Sequence, residues 1–256
     1  MKPQALGPIA TRNPVAKLAA SLLIAVPLVV TIDPVSAAVA LLLQLPLLLS
    51  CGLTARQFFL RTAPVWIAAP LGAVTVVLYG ATSGQVLFEW FVVRISEGSL
   101  WLALATFLRV LAIALPAVAL FATVDVTELA DALAQLVRLP ARFVLGALAG
   151  MRLLGLLAED WRTLALARRA RGVSDTGRVR RWLGMAFALF VLSVRRGSTL
   201  ATAMEARGFG GSGPRTWART SRFDRGDALL VLSGAAISAT ALTVAVVTGA
   251  FRPILG

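Results

Sequence analysis

Long apolar stretches separated by short charged turns dominate the chain. Residues 34–55, 62–88 and 228–251 contain no Asp, Glu, Lys or Arg, and residues 98–124 contain only Arg109. About 20 apolar residues cross a hydrocarbon core roughly 30 Å thick, so each of these runs predicts a membrane-spanning helix. The run between Lys17 and Asp33 is shorter and contains Pro27. Lys17 can extend its charge to the interface along an apolar stem, and Asp33-Pro34 supplies a turn, so residues 17–32 and 35–51 read as a hairpin of two spans. With spans at about 62–82 and 99–123 and one within 226–256, the pattern predicts an all-α, polytopic membrane protein with about five spans. Residues 1–123 form an N-terminal membrane part.

The pattern changes over residues 124–225, which hold 17 of the 25 basic and 8 of the 12 acidic residues. Three helices are expected here, carrying too much apolar surface for water. The first covers about Asp125–Val137, with Asp125 and Glu128 spaced as a capping box and Leu129, Leu133, Leu136 and Val137 on one stripe. The second opens at Pro140, where a missing N–H costs little, and runs to about Arg171. It carries Gly146 and Gly150, a small-xxx-small pair that suits close approach of another helix. The third runs from about Arg178 to Arg207. Its apolar centre, Trp182–Val194, is about 20 Å long, short for a span and suited to a helix lying at the membrane interface.

Composition agrees with a membrane protein: 58% of the 256 residues are hydrophobic and only 14% are charged, and the mean hydropathy is +0.83. Soluble domains carry about 25% charged residues. The net charge of +13 lies in the loops and in the 124–225 region, so it points to membrane topology rather than to nucleic acid. Without His and with a single cysteine, Cys51, the chain offers no His-based metal site, no Cys/His nucleophile and no internal disulfide. Cytoplasmic loops carry the excess of Lys and Arg. Lys2, Arg12 and Lys17 precede the first span, Arg56 and Arg61 follow the second, and Arg94 is accompanied by Glu89 and Glu97 in the loop after the third. The N-terminus and the 124–225 region are therefore expected in the cytoplasm. Arg109 is expected to be a functional intramembrane charge, to reach the interface, or to pair with Glu97.

An internal near-repeat carries the functional signal. Residues 164–173 read LALARRARGV and residues 200–209 read LATAMEARGF, matching at six of ten positions. Each copy ends in Ala-Arg-Gly: Ala170, Arg171 and Gly172 in the first, Ala206, Arg207 and Gly208 in the second. Locally this is a helix terminus, with Arg complementing the negative end of the dipole and Gly free to adopt a left-handed conformation. Two copies closing two long helices of one region read further as two presented cations.

These motifs, LARRARG and AMEARGFGG, resemble the signature of the transmembrane T component of energy-coupling factor (ECF) transporters. Arg12-Asn13-Pro14 with Lys17, and DVTELADALAQLVRLPARFVLGALAGMRLL followed by AEDWRTLALARRARG, are similar to the same family. The resemblance implies a non-catalytic scaffold in the cell membrane. Its partners would be two ATPase subunits, one small substrate-binding membrane S component and membrane lipid. The family's long coupling helices end in an arginine that docks on an ATPase; Arg171 and Arg207 are those residues here. ATP would be bound by the partner subunits, with no cofactor on this chain. Consistently, the sequence lacks GxxxxGK[ST], and the loop from Gly208 to Gly213 has neither a preceding strand nor a following Lys. The transported cargo would be a vitamin or metal ion held by the S component. The alternative is a substrate-translocating permease subunit, which would need polar groups along a pathway through the spans.

Overall fold

The computed structural model describes residues 7–80, 85–90, 93–172, 177–211 and 216–251. Lys2, Arg215 and the last two residues of the expected 62–82 span lie outside them. The elements run α1 (Pro14–Val30), α2 (Pro34–Leu49), α3 (Ala55–Tyr79), β1 (Val86–Trp90), β2 (Val93–Ser96), α4 (Glu97–Phe121), α5 (Val126–Gln135), α6 (Ala141–Ala170), α7 (Arg178–Ala206) and α8 (Arg225–Val247). They divide into two compact units, Met1–Ala132 with Ser221–Gly256, and Leu133–Thr220.

The first unit packs the five helices expected as spans. Helix α4 lies against α1, α2 and α3, and α8 lies against α1 and α2. Leu47, Leu111, Leu115, Leu120 and Leu230 fill one part of the core, and Ile24, Leu28, Ala112, Ile237 and Ala241 fill another. Small residues set the α1–α8 distance. A Cβ on Gly234 would lie 2.9 Å from the Ala20 carbonyl oxygen and 3.0 Å from its Cα, so the two backbones nearly touch there. The first three membrane helices are each capped by a side chain: Asn13 accepts from Val15 N–H, Asp33 from Ser36 N–H and Thr54 from Gln57 N–H. Prolines 27, 46, 64, 70 and 116 sit inside these helices, as membrane helices tolerate.

Several buried polar groups of this unit hold its own backbone together, while both amide atoms of buried Gln44 have no hydrogen-bond partner. Lys17, 1% exposed, directs its ammonium to the carbonyl of Ala10 (2.7 Å) and to the carbonyl (3.2 Å) and hydroxyl (3.0 Å) of Thr123, so three donors meet three acceptors. The snorkelling expected of Lys17 is thus an internal latch between the N-terminal turn, α1 and the end of α4. Asn13 donates through its amide to Ser221 Oγ and the Arg222 carbonyl, and Asp227 accepts from the Asn13 and Asp224 N–H groups. The chain start is thereby fastened to the start of α8. Arg109 does not pair with Glu97; its guanidinium donates to the Thr31 carbonyl at 3.0 Å, closing the C-terminal end of α1.

Two elements differ from the sequence expectation. Residues 86–90 and 93–96 form an antiparallel two-stranded ladder with Glu89 in register with Arg94, in the loop expected between the third and fourth spans. The first of the three helices in the charged region is short, ten residues instead of thirteen. Asp125 caps it by accepting from the Thr127 and Glu128 N–H groups. Its buried positions are Ala130, Ala132 and Ala134, while Val137 is exposed.

Candidate coupling site

The second unit is built on α6 and α7, helices of 30 and 29 residues. They run antiparallel, because contacts that climb along one descend along the other. Arg168 lies over Gly184, where a Cβ would come 3.1 Å from the guanidinium. Asp160 forms a bidentate ion pair with Arg196, its second hydrogen bond 3.0 Å long. Further on, Leu153 and Leu200 face a common groove, which Arg142 and Arg207 also line. The Trp161 and Trp182 rings meet edge to face, centroids 6.0 Å apart. Little of either helix is hidden within the unit: Val144 is the buried residue of α6 and Met185 that of α7. Phe143, Leu154, Leu183, Phe187 and Phe190 remain exposed, an apolar surface that requires lipid or a partner.

Both motif ends adopt the same geometry. Arg171 caps α6 with φ −88° and ψ 4°, and Arg207 caps α7 with φ −92° and ψ 12°. The glycine that follows is left-handed in each case, φ +67° at Gly172 and +78° at Gly208. Their N–H groups return to the carbonyls of Arg169 and Glu205, and at the second end Phe209 N–H also reaches Met204 O. At the second end this is the Schellman arrangement, which turns the chain away so that Arg207 stands at the tip. Ala170, Arg171, Gly172, Ala206, Arg207 and Gly208 are all exposed. Among the described residues, neither Arg171 nor Arg207 has a side-chain hydrogen bond or ion pair.

Antiparallel packing sets the two tips apart. Arg207 shares a groove with Pro140, Ala141 and Arg142 at the start of α6, whereas Arg171 follows its last residue, Ala170. At 1.5 Å per residue the arginines are separated by about 40 Å. Each guanidinium is thus free to meet a carboxylate in a separate acceptor, by the bidentate geometry that Lys lacks.

The remaining expected positions fall differently. A Cβ on Gly146 or Gly150 would meet nothing within 4 Å, so no described helix of this chain packs on that pair. Among the described residues there is no cluster of His, Cys, Asp and Glu able to hold a metal ion. The residues not anticipated from the sequence are those that set the register: Asp160, Arg196 and Gly184. A single acid in one helix and one of several arginines 36 positions later carry no local signature of pairing.

Comparison with known proteins bears on this arrangement. A family model described as CbiQ, cobalt transport protein, matches residues 8–217. The energy-coupling factor transporter transmembrane protein EcfT of Limosilactobacillus fermentum is 29% identical over 177 residues, which are 64% of this chain and 66% of the relative. EcfT of Exiguobacterium sibiricum is 34% identical over 161 residues, 58% of this chain and 61% of the relative. EcfT of Lactobacillus helveticus is 27% identical over 207 residues, covering 76% and 74%. The chain spans slightly less than two thirds of the length of the first two of these relatives.

Proposed function

Given that the chain belongs to the CbiQ cobalt transport protein family, a family of multi-pass membrane transport subunits, we propose that it couples ATP hydrolysis to uptake as the T component of an ECF importer. Two ATPase subunits would each receive one arginine, Arg171 or Arg207, in an acidic groove. The first unit stays in the membrane with its N-terminus cytoplasmic, and the exposed apolar faces of α6 and α7 receive the S component that binds the vitamin or metal ion. Gly146 and Gly150, with open space above them, are suited to a helix of that partner. ATP-driven approach of the ATPases moves the two helix tips together, and the antiparallel pair relays that motion to the S component.

The observation that carries this reading is the matched pair of arginine-capped helix ends, set about 40 Å apart along the antiparallel α6–α7 pair and left unpaired among the described residues. A permease reading would use the buried polar groups of the first unit as a pathway. Those of Lys17, Asp227 and Asn13 are instead engaged with the chain's own backbone. The test is charge reversal. Breaking one side of a desolvated Arg–carboxylate contact costs about 3 to 5 kcal/mol, so Arg171→Glu or Arg207→Glu should weaken ATPase binding more than about a hundredfold. The double variant should insert normally and transport nothing. Co-purification of both ATPases with the double variant, together with wild-type uptake, would remove the coupling assignment.

A further inference from the structure

The second unit contains a large open groove, about 1040 Å³, between the first half of α6 and the last turns of α7. Its lining has two chemical characters. Arg142, Arg152 and Arg207 line it, the Arg142 guanidinium lying 4.9 Å from the centroid of the Phe143 ring, and among the described residues no acidic side chain does. The rest is mostly aliphatic, with Leu145, Leu153, Leu156 and Leu200 along the walls. The glycine-rich turn Gly208–Gly211 closes one end with bare backbone. In the sequence this turn looked like a poor phosphate loop; the fold brings to it two arginines from α6 that lie more than fifty positions earlier.

We propose that this groove binds an anionic phospholipid of the leaflet on which the α6–α7 pair rests. Its phosphate is held by Arg142 and Arg152, and its acyl chains lie along the leucines. The chemistry selects this occupant over a soluble phosphate, which would gain nothing from the leucines, and over a zwitterionic lipid, whose ammonium would be repelled by the uncompensated cations. It also selects lipid over an acidic protein helix, since the apolar walls continue into the exposed surface of Phe143 and Leu154 that must in any case be covered. Basic pockets between helices at the cytoplasmic side of membranes take anionic head groups by the same logic. Because Arg207 is both a groove wall and a motif tip, bound lipid fixes the end of α7 from which coupling is proposed to start. The lipid proposal rests on interfacial placement of α6 and α7 and not on ATPase docking, and its test uses no ATPase.

The experiment reconstitutes the full-length chain in nanodiscs of equal phosphatidylglycerol and phosphatidylcholine, then counts retained lipids by native mass spectrometry. One phosphatidylglycerol should be retained preferentially, and millimolar inorganic phosphate should not displace it. Arg142→Gln with Arg152→Gln removes two groove cations while sparing the motif. At about 1 kcal/mol per cation near a lipid surface, it should lower that preference roughly 30-fold. Arg162→Gln with Arg180→Gln, exposed cations of the same unit outside the groove, should leave it unchanged, and Arg142→Lys with Arg152→Lys should retain most of it. Equal retention of both lipids, an unaltered preference in the Arg142/Arg152 double Gln variant, or displacement by phosphate would each overturn the proposal.

Discussion

The Asp160–Arg196 pair makes a quantitative test of the α6–α7 register. The side chains are 19% and 35% exposed, and they meet through two hydrogen bonds. At an effective dielectric of about 20, a charge separation near 3 Å is worth roughly 5 kcal/mol before desolvation and side-chain ordering are subtracted. Partly exposed pairs keep about 1 kcal/mol of that, with bidentate Arg–carboxylate geometry at the upper end. Asp160→Arg or Arg196→Asp removes this stabilisation and adds like-charge repulsion of similar size, for a total of about 2 kcal/mol each. Restoring opposite charges in the exchanged pair, Asp160→Arg with Arg196→Asp, should recover most of it. Two readouts follow the register: uptake by the reconstituted transporter, and the near-ultraviolet circular dichroism of the Trp161–Trp182 contact, measured against Trp182→Phe. Each single variant should lower uptake and weaken the aromatic signal, and the exchanged pair should restore both. If the exchanged pair loses as much as the two single changes added together, within about 0.5 kcal/mol, the two residues are uncoupled and the clasp argument fails.

Three other perturbations probe separate parts of the fold. Gly208→Ala places a Cβ on a left-handed residue, φ +78°, in otherwise open space, so it should destabilise the end of α7 by about 1 to 2 kcal/mol and reduce uptake, whereas Gly208→Asn should be milder; equal effects of Ala and Asn would argue against a conformational cause. Gly234→Leu forces apart the α1 and α8 backbones and should lower the thermal midpoint of the purified protein by at least as much as a 1 to 3 kcal/mol overpacking, about, while Gly150→Leu leaves the midpoint unchanged and reduces only assembly with the S component; a Gly150→Leu loss of thermal stability would refute the distinction. In a Cys51→Ser background, Arg169→Cys and Glu205→Cys should both react with an impermeant thiol reagent only after cells are permeabilised; labelling of one of them in intact cells would place the motif ends on opposite sides of the membrane.

How far the sequence reached depends on the range of the interaction. The boundaries of α6 and α7 were within a residue or two of expectation, because Pro140 and the two Ala-Arg-Gly ends are local signals. The five helices of the first unit were legible for the same reason, since charge-free runs of this length have few alternatives. Strands 86–90 and 93–96 were missed because they lie in the loop between two expected spans, where a short segment mixing apolar residues with Glu89 and Arg94 carries no clear period. The contacts that fix geometry were out of reach. Gly234 meets Ala20 across more than two hundred positions, and the spacing of Gly146 and Gly150 gives a packing surface without naming what fills it. Lys17 was placed at the right helix end, but its partner Thr123 lies 106 residues away.

Placement of α6 and α7 is the point at which structure and sequence constrain one another most. Both helices have the length and hydropathy to cross a membrane, and antiparallel packing would then put Arg171 and Arg207 on opposite faces, where one pair of cytoplasmic ATPases could not reach both. Length therefore does not decide the matter, and charge does. Were α6 a span centred on its middle turns, Arg152, Glu159 and Arg162 would all lie within the hydrocarbon, as would Arg195 in α7, and all four are exposed on the unit's surface. The Asp160–Arg196 pair neutralises itself, but these four have no such compensation built into the clasp. Even with α6 placed on its most apolar stretch, residues 143–158, Arg152 stays inside the hydrocarbon, at about 2.5 to 3.5 kcal/mol for a charge near the bilayer centre. Lying at the interface avoids that cost, because the charged flanks face the head groups while Phe187, Phe190 and Leu154 enter the apolar layer. The 40 Å between the motif tips then becomes a lateral distance along the membrane surface, the direction in which the two proposed ATPases would sit side by side.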